Sequence, residues 1–127
     1  MLPLQKNNTM EITIDEVRAF LNEFKIKAKA FGIIYRDDRD KNDINSLLKL
    51  GINNVIREEI IFSLEEIDYS EGPIIDTLNK GADMWVFGKD YNDTDIYIKI
   101  SVSNRALCIS FHEAEYPLKF PFKTQTL

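Results

Sequence analysis

The chain has 127 residues, 44% hydrophobic and 29% charged, with a net charge of −5; this suits one domain with a single core and argues against a non-specific polyanion binder. A single cysteine, Cys108, excludes an internal disulfide and disfavours a thiolate metal site. The start, MLPLQKNNTMEI, lacks the apolar core of a signal peptide, and no run approaches the roughly 20 apolar residues of a membrane span, so the expected compartment is the cytoplasm, with no membrane partner.

Residues 1–12 carry no pattern and read as a flexible arm before one domain over residues 13–127. Thr13 and Glu16 form a capping-box signature. Val17, Phe20, Leu21, Phe24, Ala28 and Phe31 then recur at helical spacing until Gly32. Lys25, Lys27 and Lys29 load the last turns with positive charge, as the helix dipole favours. Residues 32–36 are β-prone, and 37–41 (DDRDK) form a charged loop. Asn42 or Asp43 is placed to cap a short helix through Leu47, Leu48 and Leu50. Asn53 is placed to cap another, with Val55, Ile56, Ile60 and Leu64 as its buried stripe. After a turn at 65–69, residues 70–82 contain Gly72-Pro73 and Gly81 and read as a long connection suited to a substrate or lid loop. Residues 83–89 read as a strand, and Asn92-Asp93 as a turn.

The most informative stretch follows. Ile96, Ile98, Ile100 and Val102 alternate with Asp95, Tyr97, Lys99 and Ser101; Leu107, Ile109 and Phe111 alternate with Cys108, Ser110 and His112. Two such runs around a polar Ser103–Ala106 turn predict a β-hairpin. Burying both apolar sets puts Tyr97, Lys99, Ser110 and His112 on one face. A four-residue loop sets Tyr97 opposite His112; a two-residue loop sets it opposite Ser110. Beyond His112, Pro117 and Pro121 forbid a regular central strand or helix, so Leu118, Phe120 and Phe122 are expected to lie as an extended tail across the core. Strands clustered after helices give an α+β fold, with N-terminal helices on a small curved antiparallel sheet.

From Trp85 onward five basic residues balance five acidic ones, so the acidic excess lies wholly before that point. No P-loop, dinucleotide glycine motif, HExxH, CxxC or GxSxG is present. The aspartates at 37, 38 and 40 lack the glycine and distal glutamate of a calcium loop, and no metal or cofactor is expected. The phenol, ammonium, hydroxyl and only histidine on the hairpin's polar face do suit one chemistry. RNA can be cut when its 2′-hydroxyl attacks the adjacent phosphate. The protein then supplies a base, an acid for the 5′-oxygen and a cation for the charged intermediate. Histidine suits the acid role, lysine the phosphate, and tyrosine can orient or transfer a proton.

Several segments together resemble the motility quorum-sensing regulator (MqsR-like) toxins of type II toxin–antitoxin systems. They are Leu50-Gly51-Ile52, Leu64 with Asp68-Tyr69 and Gly72-Pro73, residues 85–89 (WVFGK), Tyr97-Ile98-Lys99, and Ser110-Phe111-His112 through Pro121-Phe122. The similarity spans about Phe20 to Phe122. It implies a RelE-like fold, metal-independent cleavage of single-stranded messenger RNA, and a cognate antitoxin, a helix-turn-helix protein encoded beside it. It also implies that Tyr97 takes the place of a catalytic tyrosine and His112 that of a basic or proton-transferring residue. Lys99 joins them as a catalytic candidate, with Lys80, Lys89 and Ser110 as candidate RNA contacts. Where the family commonly shows tyrosine and lysine before the Gly-Pro, this chain has Ser70 and Glu71. The alternative expectation is a non-catalytic module of the same fold that binds a protein partner or RNA.

Overall fold

The structure, a computed structural model, describes residues 11–36, 41–78 and 80–123. Among these are three α-helices, α1 (Ile14–Phe31), α2 (Lys41–Leu50) and α3 (Asn54–Phe62), and a 3-10 turn at Glu66–Asp68. The strands are β1 (Ile33–Tyr35), β2 (Tyr69–Ile74), β3 (Met84–Tyr91), β4 (Thr94–Val102) and β5 (Ala106–Glu113). They make one open sheet in the order β1-β5-β4-β3-β2. The class is α+β, as the helix-before-strand order predicts. The sheet is mixed rather than wholly antiparallel, because β1 lies against the free edge of β5 and runs parallel to it.

Helix α1 starts where its capping box acts. The Thr13 hydroxyl accepts from the Glu16 amide at 3.2 Å, and the Glu16 carboxylate accepts from the Thr13 amide at 2.9 Å. Its apolar stripe, Val17, Phe20, Leu21, Phe24 and Ala28, packs in one cluster with Ile96, Ile98, Ile100 and Phe111 of the sheet. Phe20 stacks on Trp85 with centroids 4.7 Å apart. Phe31 departs from the stripe and is exposed, under the Arg105 guanidinium, which donates to its carbonyl at 2.8 Å. Lys25 donates to the Leu64 carbonyl at 2.6 Å, so one of the three helix lysines ties α1 to the segment after α3. Ile12, within the expected arm, packs against the core; residues 1–10 of that arm lie outside the described residues.

The short helices differ in detail from the expectation. Asn53 caps α3, accepting from the Ile56 amide at 2.8 Å. The buried side of α3 is Arg57, Ile60 and Ile61, whereas Val55 is exposed. The Arg57 guanidinium lies 3.6 Å over the Tyr35 ring, which gives a charged group a partner inside the fold. The charged stretch at 37–40 lies outside the described residues. Helix α2 already includes Asp43, which is not its cap. Asp43 is buried and accepts from the Phe111 amide at 2.9 Å, pinning α2 to β5.

Residues 70–74 belong to an edge strand rather than to a connection. Tyr69 pairs with Phe87, Glu71 with Val86 and Ile74 with Met84, with ladder shifts on both sides of Glu71. Gly72-Pro73 and those shifts erase the period-two pattern by which a strand is read. Between β3 and β4, Asn92 and Asp93 both have positive φ, the geometry of a tight two-residue hairpin turn. The tail does cover the sheet: Phe122 is buried 5.6 Å from Tyr69, and Leu118 and Phe120 lie over Gly88. Among the described residues no helix is long and apolar enough to cross a membrane.

Candidate active site

Ile96, Ile98 and Ile100 are fully buried under α1, which turns Tyr97 and Lys99 of β4 to the opposite side of the sheet. Strand β5 reaches the matching phase through a bulge. The turn is three residues, Ser103–Arg105, and Val102 pairs with Ala106 and Ile100 with Cys108. One residue further the ladder shifts, and Ile109 is the extra residue. Ala106 and Cys108 are therefore buried near the turn, where the alternation predicts Leu107. Beyond the bulge the predicted phase returns. Phe111 faces Ile98, Ser110 pairs with Lys99, and His112 pairs with Tyr97.

The Tyr97 and His112 rings stack in parallel, 4.9 Å between centroids and 10° between planes. Tyr97, Lys99, Ser110 and His112 line one cleft of about 250 Å³ with Glu115 and Tyr116. The Glu113 carbonyl lies 2.8 Å from Nδ1 of His112. A carbonyl only accepts, so Nδ1 carries a hydrogen there and Nε2 is left for chemistry. Burial pushes the Tyr97 phenol up to about 12; the nearby Tyr116 phenol, Glu71 and Glu115 add to the shift, as does a hydrogen bond with Tyr116. At neutral pH Tyr97 keeps its proton and is a donor, not a base.

Tyr116 and Glu115 lie outside the residues that the hairpin pattern gathers at this site, and Leu118, Phe120 and Phe122 are expected from the sequence only as a cover for the core. The signal that could have found them is Gly88, a mid-strand glycine paired with Tyr97. A Cβ there would stand 2.6 Å from Leu118 and 2.7 Å from Phe120. The missing side chain lets the tail run beside Tyr97 and sets Tyr116 edge-on to it, 6.4 Å between centroids.

The other two lysines named from the sequence stand elsewhere. Lys89 pairs with Ile96, so it lies on the helix side of the sheet. It donates to the buried Asp68 carboxylate at 3.0 Å and the Ser63 carbonyl at 3.3 Å. Lys80 is exposed in the β2–β3 connection and does not line the cleft. Among the described residues no three His, Cys, Asp or Glu side chains are grouped to hold a metal ion. No family model, curated protein or solved structure matches this chain.

Proposed function

We propose that the protein is an endoribonuclease that cuts single-stranded RNA through the RNA's own 2′-hydroxyl. The observation that carries this reading is the stacked Tyr97–His112 pair at a cleft that also holds Lys99 and Ser110. In the proposed step, Nε2 of His112 takes the 2′-hydroxyl proton as the 2′-oxygen bonds to phosphorus. The bond from phosphorus to the 5′-oxygen breaks, and the Tyr97 phenol gives its proton to that oxygen. Lys99 and the Ser110 hydroxyl face the charge on the phosphorane. The proton then returns from the imidazolium to the phenolate, directly or through solvent. The raised Tyr97 pKa supports this division, with histidine as base and tyrosine as acid, over one in which histidine is the acid.

The resemblance to MqsR-like toxins extends the proposal to biology: a cytoplasmic messenger-RNA-cleaving toxin of RelE-like fold held by a helix-turn-helix antitoxin. Glu71 and Glu115 act on the same phenol and favour a second reading, a non-catalytic module of this fold that binds a protein partner or RNA. Incubating purified protein with a single-stranded oligoribonucleotide in excess chelator separates the two. The nuclease leaves a 2′,3′-cyclic phosphate and a 5′-hydroxyl. Intact RNA returns the decision to the binding module.

A further inference from the structure

His112 lines two cavities. Beside the Tyr97 cleft, a second cavity of about 240 Å³ lies between β5 and α2, lined by Asn45, Ser46, Lys49, His112 and the chain from Glu113 to Glu115. His112 and Glu115 border both. Each is smaller than the roughly 300 Å³ at which ligand sites usually begin, and joined past His112 they fall inside the usual range. The geometry suits an extended ligand rather than a compact one.

We infer that the RNA groove continues past His112 onto α2, where Asn45, Ser46 and Lys49 hold the nucleotide adjoining the scissile bond, with Lys49 on its phosphate. This rests on the ribonuclease reading and adds the footprint of its substrate. The residues fit the task. Ser46 accepts from the Glu113 amide at 3.1 Å, which leaves its hydroxyl proton to donate. Asn45 offers an amide that can both donate and accept. Lys49 is paired with Glu113 at 2.8 Å, with side chains 68% and 40% exposed. So exposed a pair is held weakly, and a phosphate can take the carboxylate's place. The same bridge offsets the charge of Lys49 in the free protein, so Glu113 competes with the RNA for Lys49.

This competition gives opposite signs to two substitutions. Binding of a single-stranded oligoribonucleotide, made uncleavable by 2′-O-methylation, is followed by fluorescence anisotropy over a range of salt. Lys49→Ala should weaken binding several-fold and flatten the slope of log affinity against log salt by about 0.7, the share of one single-strand phosphate. Glu113→Gln should tighten binding, because Lys49 is released. A bridge that serves only to join α2 to β5 gives both variants the same sign, with lowered melting temperature, and that result overturns the inference. Unchanged affinity and slope in Lys49→Ala overturn it as well. If wild type binds and cuts RNA while Lys49→Ala behaves identically, the subsite alone is lost. If wild type neither binds nor cuts RNA, the ribonuclease reading fails and the subsite with it.

Discussion

Tyr97 and His112 face each other across β4 and β5 with rings parallel and 4.9 Å apart, a contact between side chains 15 residues apart in sequence. The distance depends on the bulge at Ile109. With a three-residue turn and no bulge, the ladder would continue from Ile100–Cys108 with even positions facing even positions, and His112 would sit opposite Ile96 rather than Tyr97. One extra residue thus aligns the polar face on which the proposed chemistry depends.

The Tyr97 phenol predicts a pH dependence with a definite sign. Its ordinary value of 10.0 is raised to about 12 in the folded protein, chiefly by burial. The folded state therefore holds this proton more tightly than the unfolded chain. The resulting stabilisation is fully present below pH 10 and is lost as pH rises through about 12. With solvent screening at this half-buried group allowed for, the loss is on the order of 1 kcal/mol. Ultraviolet titration of wild type minus Tyr97→Phe should show a late-titrating phenol. A difference curve centred on the ordinary value would contradict the buried, protonated Tyr97.

Lys89 is expected to matter for folding and not for RNA. Asp68 is only 3% exposed on its side chain, and the Lys89 ammonium pairs with it at 3.0 Å. Lys89→Ala should cost about 2 kcal/mol in chemical denaturation, as the loss of a charged hydrogen bond does. The cost is held down because Asp68 also accepts from the Glu65 amide at 2.8 Å. The folded variant should bind RNA with unchanged affinity; a loss of affinity without a loss of stability would restore Lys89 to the RNA contacts.

The tail over Gly88 gives a steric prediction. Gly88→Ala sets a methyl group against Leu118 and Phe120 and should cost about 1–3 kcal/mol. Ending the chain after Tyr116 removes buried Phe122 with half-buried Leu118 and Phe120, and should cost several kcal/mol. Thermal melting of both variants checks this. Wild-type melting in the truncated chain would mean that the tail contributes nothing to the core.

Much of this was legible in the residues, for physical reasons that also mark where reading stops. Thr13-x-x-Glu16 and the stripe from Val17 to Ala28 are local signals, and α1 follows them. The hairpin face was legible because strand alternation carries it. The bulge at Ile109 was not, since Cys108 and Leu107 are both apolar enough to be buried and the phase change leaves no mark. Asp43 looks like a cap from its neighbours; only the approach of Phe111 from 68 residues away makes it a buried acceptor. Val55 and Arg57 mislead in the same way, because Tyr35 gives the arginine a partner that the helical pattern does not contain. Tyr116 comes to the site through tertiary placement of an extended tail, which the alternation of the hairpin does not reach.

The measurement that bears most directly on the proposed chemistry is single-turnover cleavage of a single-stranded oligoribonucleotide by wild type, Tyr97→Phe and His112→Ala, each with its melting temperature. Tyr97→Phe keeps the ring that stacks on His112 and removes only the hydroxyl. His112→Ala should slow cleavage about 10²–10⁴-fold, the usual size of a general acid–base contribution, and Tyr97→Phe should fall in the same range. Both should melt close to wild type, because the two side chains lie on the cleft side of the sheet and outside the apolar cluster. Equal cleavage by wild type and the double variant, in proteins of equal melting temperature, would contradict proton transfer by this pair.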